Sequence, residues 1–241
     1  MDAMILAAGL GTRLRPLTDR IPKALIEVGG MPILGRVAHR LIEAGADRLI
    51  INLHHLGDRI REYVTEMESF GVEVVFSEEA KGALETGGAI LKARGLLRAD
   101  APFFLHNADI LSDLPLSEMY RQHLRSGALA TLAVMARPST RYLLFDEDGL
   151  FGRVDERKEI RLITREPVGQ ETRLAFAGVH VIDPRFPRLL HERGAFSILE
   201  PYLRLVEEGE RILPFRIDGY QWIDIGKPEQ LAEARAIFAG S

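Results

Sequence analysis

The 241-residue sequence contains no cysteine, which excludes disulfide bonds, thiolate metal ligands and a cysteine nucleophile. It also lacks an apolar run of the roughly 18 residues that would suggest a membrane span. Residues 1–11 have no basic region ahead of their short apolar stretch, unlike a signal peptide. The formal net charge of −4 leaves no overall basic field for nucleic acid or an anionic membrane. These absences predict a cytoplasmic protein with no nucleic-acid or membrane partner, in which any functional positive charge is local.

What is present is the composition of a globular protein with one substantial core, 46% hydrophobic and 27% charged. Residues 3–8 form a continuous apolar run, and residues 48–53 are again typical of a strand. Residues 32–44, between them, carry apolar residues at helical spacing. This strand–helix order repeats along the first half. It predicts an α/β fold with a doubly wound, mostly parallel, Rossmann-like sheet.

After about Arg137 the pattern changes to short strand-like pieces separated by charged and glycine-containing turns, typical of antiparallel additions to a sheet. Helices are predicted in this half at residues 185–190, 198–207 and 228–238. No linker, repeat or low-complexity tract separates the halves. We therefore predict a single domain of residues 1–241, with halves at 1–136 and 137–241.

The first strand leads into a loop, residues 8–22, that combines glycine with positive charge. In open α/β sheets, ligands bind outside the carboxyl ends of the strands, where this loop lies. Gly9 and Gly11 allow a tight turn and a close approach of the backbone, whose N–H groups can form an anion-binding concavity. Arg13 and Lys23 add positive charge. The combination is suited to a polyphosphate.

Three other interpretations of this loop are a dinucleotide-binding fingerprint, a P-loop and a solvated turn. A dinucleotide-binding fingerprint needs a third small residue where Leu14 stands, and it does not need a basic loop. A P-loop needs Gly-Lys-Ser/Thr at its end, which is absent. A bare Gly-x-Gly is also frequent in solvated turns, so the two glycines alone do not decide. The longer sequence around them does.

Gly-x-Gly-Thr-Arg-Leu-Arg-Pro-Leu-Thr, with Pro-Lys three residues later, resembles the signature of sugar-1-phosphate nucleotidyltransferases. LETGG (84–88), HNAD (106–109) and WIDIGKPEQL (222–231) follow in the order and spacing of that family. LETGG is similar to the branch that includes N-acetylmuramate-1-phosphate uridylyltransferases. The resemblance covers most of the chain. It implies transfer of a nucleotidyl group from a nucleoside triphosphate (NTP) to a sugar 1-phosphate, with the nucleotide on residues 1–136 and the sugar phosphate on 137–241.

In such a reaction the nucleophile is a phosphate oxygen that is already anionic, so positioning and charge stabilisation are needed rather than a general base. The resemblance implies that Arg13 contacts the triphosphate, and that Lys23 bridges the attacking and departing phosphates. It also implies that Asp109 and Asp224 hold Mg²⁺, a hard cation suited to carboxylate and phosphate oxygens. Arg13, Lys23 and Asp109 are therefore the expected catalytic residues.

The resemblance places the nucleotide base at the end of the first strand. The residues that it implies for nucleotide binding are Leu6, Ala7, Ala8, Gly9, Gly11, Thr12, Arg13, Glu79, Thr86, Gly87 and Gly88. Glu79 stands about where the family has a base-reading side chain, and a carboxylate can accept from N–H groups of uracil or of guanine. The alternative is a solvated glutamate in an acidic loop, beside Glu78.

The sugar is expected over Ala177 and Gly178, with Lys23 and Asn107 also contacting the sugar 1-phosphate. Many members of the family carry Glu-Lys-Pro before this strand, whereas this chain has Thr-Arg-Glu-Pro at 164–167. Arg165 is the candidate to replace the charge of the missing lysine.

The remaining candidates are predicted to be structural. His54 and His55 point to opposite faces if they lie on a strand, and zinc needs two or three clustered ligands. Asp113 and Asp218 are expected to be helix caps or turn residues, and Trp222 to support Asp224 by packing.

UTP with N-acetylmuramate 1-phosphate is the leading substrate prediction, and it rests on LETGG alone. GTP with mannose or heptose 1-phosphate is the alternative of the same class, and cytidylyltransferases that use phosphocholine share much of the scaffold. A catalytically silent, nucleotide-sugar-sensing subunit could dispense with Arg13, Lys23, Asp109 and Asp224, all of which are present. A Rossmann oxidoreductase is disfavoured by Leu14 and by the basic loop.

Overall fold

The computed structural model describes residues 1–80 and 82–238. Within them the strands are β1 (Asp2–Leu6), β2 (Glu27–Val28), β3 (Met31–Pro32), β4 (Arg48–Leu53), β5 (Glu73–Glu78), β6 (Phe103–Asn107), β7 (Ile110–Ser112), β8 (Ala130–Met135), β9 (Arg141–Asp146), β10 (Gly149–Asp155), β11 (Ile160–Ile163), β12 (Thr172–Ile182), β13 (Ile212–Arg216) and β14 (Trp222–Asp224). The α-helices are α1 (Ile33–Glu43), α2 (Gly57–Glu66), α3 (Glu85–Ala93), α4 (Leu116–Ser126), α5 (Leu199–Glu207) and α6 (Pro228–Ile237). None of these helices is long and apolar enough to cross a membrane.

One ten-stranded mixed sheet runs through both halves of the chain, in the order β11-β10-β9-β12-β6-β1-β4-β5, with β8 on β12 and β13 on β8. Its centre is parallel, because β6, β1, β4 and β5 run in the same direction. From the second half, β12 joins β6 antiparallel, and β9, β10 and β11 continue antiparallel. The predicted α/β fold, with a mostly parallel centre and antiparallel additions, is confirmed.

The apolar run in β1 reflects burial of this central strand on both faces. Ala3 and Ile5 belong to one apolar cluster and Met4 to another, and none of the three is exposed. The first cluster receives Leu34 and neighbouring side chains of α1, whereas the second receives Tyr202 of α5. Each fully buried large apolar side chain contributes roughly 1.5–3 kcal/mol, which holds the carboxyl end of β1 rigidly in the centre of the sheet.

Two predicted features differ in the structure. Residues 185–190 form a single 3₁₀ turn, Phe186–Arg188, rather than a helix. Gly149 and Gly152 lie in β10, in the half of the chain where glycine is predicted to mark turns. A Cβ on Gly149 would overlap the Ile212 carbonyl, and one on Gly152 would overlap that of Leu162. Close packing requires glycine at both positions.

A two-stranded sheet outside the main one links the ends of two distant segments. β7 pairs antiparallel with β14, and Asp224 stands opposite Ile110. The Ile225 N–H donates to the Asp109 carbonyl at 2.9 Å. Strands of three residues carry too few residues for a periodic signal, so the sequence pattern does not predict them. Their pairing sets Asp224 beside Asp109.

Three buried histidines predict a loss of stability at mildly acidic pH. Burial lowers the pKa of His106 and His123 to about 4 and that of His180 to about 3. Below pH 6.5 the unfolded chain binds protons that the folded chain does not. The free energy of unfolding should therefore fall as pH drops towards 4, by up to about 1.4 kcal/mol per pH unit for each histidine.

Urea denaturation between pH 7 and pH 5 measures this slope. His123→Gln removes one buried titrating group and should make the slope shallower, whereas the same change at the exposed His55 should leave it unchanged. Equal slopes in all three proteins would contradict the prediction.

Candidate active site

The carboxyl ends of β1, β4 and β6, together with the segments after β5 and β6, surround a cavity of about 210 Å³. It is lined by Leu6, Ala7, Ala8, Gly9, Lys23, Ala24, Asn52, Glu79, Ala83, Glu85, Thr86, Asn107, Ala108 and Asp109. Most of the side chains predicted to contact the base, and three of those predicted around the phosphates, are therefore brought together. This is the edge of the sheet at which a ligand of an open α/β fold is expected.

Asn52, near the end of β4, organises the floor of the cavity. Its Oδ1 accepts from the backbone N–H of Ala7 at 2.6 Å and of Ala8 at 3.2 Å. Its Nδ2 donates to Glu79 Oε1 at 2.7 Å. No motif singles out Asn52, and its one signal is a polar amide at the carboxyl end of an otherwise apolar strand. It holds the backbone against which the base is predicted to lie.

Glu79 is a buried brace rather than a solvated loop residue, since only 3% of it is exposed. Its Oε1 accepts from Asn52 and its Oε2 accepts from the Leu84 N–H at 2.8 Å. His54 Nδ1 lies 2.9 Å from its carbonyl oxygen. Because each carboxylate oxygen already has a partner in the protein, an N–H of a base would have to share or displace one of them.

This network predicts that Glu79→Gln lowers the stability of the fold. Glutamine would turn one N–H₂ group towards Asn52 Nδ2 or the Leu84 N–H, both of which are donors. The expected loss is about 1–3 kcal/mol in the free energy of unfolding, typical of a buried polar group left unsatisfied.

Urea denaturation of Glu79→Gln and Glu78→Gln checks the prediction. Glu78 is exposed and pairs with Arg61 on the surface, so its substitution should change stability by less than about 1 kcal/mol. Equal stabilities of the Glu79 variant and the parent would contradict the network.

The loop after β1 is closed by Gly11 and Thr18. Gly11 has φ +61°, in the left-handed region, and a Cβ there would lie 2.8 Å from Thr18 Cγ2. Thr18 Oγ1 donates to the Gly11 carbonyl at 2.8 Å and is buried with Leu14. Thr12 and Arg13 are left exposed on the outer side of the loop, beyond the described lining of the cavity. An exposed arginine on an anchored loop is placed to contact an anion.

LETGG forms the entrance to α3, which begins at Glu85. Thr86 lines the cavity. Gly87, however, donates its N–H to the Phe196 carbonyl at 3.0 Å, and a Cβ on it would overlap the Phe196 ring. A Cβ on Gly88 would overlap the Gly194 carbonyl. In this structure the two glycines allow α3 to pack on residues 194–196. The prediction places the same glycines against the nucleotide instead.

Lys23 and Asp109 meet at the rim of the cavity. Lys23 Nζ donates to Asp109 Oδ2, and the two form an ion pair. Lys23 opens the 3₁₀ turn Lys23–Leu25, and Asp109 follows β6, so the pair ties the first loop to the central sheet. Only 11% of the lysine side chain is exposed, which strengthens its field at the rim.

Asp224 lies beside this pair through the pairing of β7 with β14. Burial and then the charge of Asp109 raise the pKa of its carboxyl, and Lys23 and Arg13 act in the opposite direction. Within residues 1–80 and 82–238, the buried Asp224 Oδ1 has no hydrogen-bond partner. A Cβ on Gly226 would lie 2.8 Å from that oxygen and 2.8 Å from Arg13 Nη2. Gly226, inside the WIDIGKPEQL motif, thus lets the guanidinium and the carboxylate approach each other.

Three of the residues predicted to contact the sugar 1-phosphate also lie close together, namely Ala177, Gly178 and Asn107. Gly178 has φ +82°, and a Cβ on it would lie 2.6 Å from Ile110 Cγ1 and 3.2 Å from Asn107 Nδ2. Trp222 Nε1 donates to the Ala177 carbonyl at 2.8 Å. The indole therefore ties β14, which carries Asp224, to the strand on which the sugar is predicted to lie.

Arg165 is not placed to replace the missing lysine. It forms a two-pronged ion pair with Asp146 at 2.6 and 2.7 Å, and the side chain of that carboxylate is fully buried. Asp146 lies at the Thr172 end of β12, away from Gly178. A cation that does lie near the residues predicted to contact the sugar is Arg137, whose guanidinium carbon is 4.4 Å from the centroid of the Trp222 ring. Arg137 follows β8 and carries no motif signal.

A nucleotidyl transferase family model matches residues 2–239. An N-acetylmuramate alpha-1-phosphate uridylyltransferase of Neisseria meningitidis serogroup B is 33% identical over 239 residues, covering 98% of each chain. The catalytic subunit beta of a mannose-1-phosphate guanylyltransferase of Drosophila pseudoobscura pseudoobscura is 28% identical over 244 residues. That match covers 99% of this chain but 62% of the insect protein, so this chain spans less than two thirds of its length.

Among solved structures, HddC from Yersinia pseudotuberculosis complexed with GMP-PN superposes with a TM-score of 0.77 at 24% identity. The match covers 98% of this chain and 99% of that one, and it shows that the two share a fold. The agreement of sequence and fold extends over nearly the whole chain. The chain therefore belongs to the nucleotidyl transferase family, and the resemblance of its motifs to sugar-1-phosphate nucleotidyltransferases is confirmed.

Proposed function

We propose that this protein transfers the uridylyl group of UTP to N-acetylmuramate 1-phosphate, forming UDP-N-acetylmuramate and pyrophosphate. The observation that carries the reaction class is the convergence of Lys23, Asp109 and Asp224 at the rim of the cavity, with Arg13 beside Asp224. The substrate pair is favoured by the 33% identity to the Neisseria uridylyltransferase and by LETGG.

In this proposal the nucleotide enters the cavity at the end of β1. The base lies against Ala7 and Ala8, whose backbone Asn52 holds in place. Thr86 bounds the cavity from α3. Glu79 keeps Asn52 oriented and acts on the base through it, because both of its carboxylate oxygens are already engaged.

The phosphates then lie between the first loop and the Asp109 rim. Lys23 stabilises the charge that develops as a sugar-phosphate oxygen attacks the α-phosphate, and Arg13 draws the departing pyrophosphate outwards. A partly desolvated lysine is well suited to this task, since a preorganised cation interacts more strongly in a water-poor site than in bulk solvent. The sugar lies beside the segment of Ala177 and Gly178, in which the Ala177 side chain is fully buried, with Asn107 reaching its phosphate or ring.

Asp109 and Asp224 fit a magnesium ion. Two carboxylates lie side by side, and Asp224 Oδ1 is buried with no described hydrogen-bond partner. No group of three or more His, Cys, Asp or Glu side chains that could hold a metal occurs within residues 1–80 and 82–238. The protein would therefore offer two carboxylates and leave the other coordination positions to phosphate oxygens and water. When bound, Mg²⁺ neutralises and orients the phosphates.

A second candidate is transfer from GTP to mannose 1-phosphate, favoured by the 28% identity to the Drosophila guanylyltransferase. A pyrophosphate-release assay decides between them. It would combine UTP, GTP, CTP, ATP and dTTP with the 1-phosphates of N-acetylmuramate, N-acetylglucosamine, mannose and heptose, and with phosphocholine. The proposal expects the highest kcat/KM for UTP with N-acetylmuramate 1-phosphate. The highest kcat/KM for GTP with mannose 1-phosphate would support the alternative. No activity with any pair would indicate a sensing subunit.

A further inference from the structure

Arg137 is a half-buried arginine held on the sugar side of the site by weak contacts. Its guanidinium stacks on Trp222, with the guanidinium carbon 4.4 Å from the ring centroid. Its Nη1 and Nη2 donate to the carbonyls of Pro138 and Phe176, each at 3.3 Å. In the described part of the chain, the buried Nε has no partner. The donors of this side chain are therefore poorly used by the protein itself.

The charge of Arg137 is also uncompensated at close range. Among residues 1–80 and 82–238, the partly buried Arg165 and Arg204 each form ion pairs with carboxylates, whereas Arg137, like Arg40, forms none and donates to backbone carbonyls. Asp224 is near enough to influence it but does not pair with it. A partly desolvated guanidinium without a counter-ion is costly, and an anion supplied by a ligand would offset that cost.

The backbone around Arg137 is anchored on both sides. Asp218 Oδ1 accepts from the Ala136 N–H at 2.6 Å, and the Ser139 N–H donates to the Tyr142 hydroxyl at 2.8 Å. Phe176, which accepts from Arg137, directly precedes Ala177 and Gly178. The guanidinium is thus held beside the surface on which the sugar is proposed to lie. A fixed fork of donors at that place recognises a planar, bidentate anion.

We propose that Arg137 determines specificity for sugar 1-phosphates that carry a carboxylate on the sugar. This inference rests on the proposed function, and it names the part of the substrate that the site reads. N-acetylmuramate differs from N-acetylglucosamine by a lactyl ether, whose carboxylate is the anion that Arg137 lacks. A neutral sugar would leave the guanidinium without a counter-ion.

A cycle of enzyme and substrate changes tests this inference. Parent and Arg137→Met are assayed with the 1-phosphates of N-acetylmuramate and N-acetylglucosamine, with UTP as donor. The variant should lose about 10²-fold in kcat/KM with N-acetylmuramate 1-phosphate, mainly through KM, because a lost charge pair weakens binding. It should change less than about threefold with N-acetylglucosamine 1-phosphate, which has no carboxylate to lose. Arg141→Met, the same change at an exposed arginine of β9, should alter neither value.

Other outcomes separate this inference from the proposed function. Equal losses with both sugars would overturn the inference, since Arg137 would then act on the phosphate or only on Trp222, while uridylyl transfer to N-acetylmuramate 1-phosphate would stand. If the parent enzyme uses the 1-phosphates of neutral sugars better than those of N-acetylmuramate and glucuronate, the inference and the proposed function are both wrong.

Two further comparisons keep the test decisive if Arg137→Met fails to fold, which its melting temperature reports. Arg137→Lys keeps the charge without the planar fork and should lose only part of the preference for the carboxylated sugar. On the parent enzyme, the lactyl amide of N-acetylmuramate 1-phosphate should lose about the same factor as the Met variant. An amide used as well as the acid would overturn the inference.

Discussion

Asp109→Asn and Asp224→Asn should each nearly abolish nucleotidyl transfer, and the double variant should be little worse than either single one. The β7–β14 pairing places the two carboxylates side by side, and the charge of Asp109 contributes to the raised pKa of Asp224. One carboxylate binds Mg²⁺ weakly because the ion holds its water tightly, whereas two with phosphate oxygens make a plausible octahedral site. Residues that serve one ion are strongly non-additive when mutated.

Turnover measured against Mg²⁺ concentration checks this prediction. Each single variant should need more Mg²⁺ than the parent for its residual activity. Asp113→Asn is the matched control, because this nearby carboxylate accepts the Gln221 N–H beside the β7–β14 pair, a bond that the asparagine Oδ1 can also accept, so the Mg²⁺ requirement should be unchanged. If the activity losses of the two single variants multiply in the double variant, the two aspartates do not share a metal ion. A single variant with the Mg²⁺ dependence of the parent would have the same meaning.

Replacement of Lys23 by Met should lower kcat by a factor on the order of 10² or more while the protein stays folded. The lysine lies on a loop and makes one ion pair at the rim of the cavity, so its contribution to stability is modest. Its proposed role is to stabilise charge on the transferring group. Among the described residues that line the cavity, Lys23 is the only lysine. Methionine keeps the apolar stem and removes only the charge.

Steady-state kinetics measures the loss of kcat, and a thermal melt of the same variant shows whether the protein is still folded. Lys92→Met removes the same charge from the exposed face of α3 and should leave kcat unchanged. Lys23→Met should also be coupled to Asp109→Asn, because the two side chains form one ion pair. A folded Lys23 variant with the kcat of the parent would remove this lysine from the mechanism.

Local sequence was sufficient to predict the central architecture, and it also predicts where the site lies. The apolar run of β1 predicts a strand buried on both faces, since only such a strand can hide Met4 on one side and Ile5 on the other. The glycines and cations that follow predict an anion-binding loop at the carboxyl edge of the sheet. These inferences depend on residues that are neighbours in the chain, and the periodicity of a single strand records them.

The tertiary structure decided which polar groups meet. Glu79 is indistinguishable from a solvated loop glutamate in the sequence, and only the packing of β4 against β5 gives it Asn52 as a partner. Arg165 stands at the motif position but forms its ion pair with Asp146, while Arg137 has no ion-pair partner within residues 1–80 and 82–238.

The same holds for Asp109 and Asp224, which meet through a pair of three-residue strands too short to leave a pattern. The sequence by itself determined the α/β layers, the position of the glycine-containing basic loop and the identity of the family. Which carboxylate faces which cation was decided by long-range strand pairing. The physical reason is that a buried charge is stabilised by whatever lies within a few ångströms, and in this fold those neighbours come from distant segments of the chain.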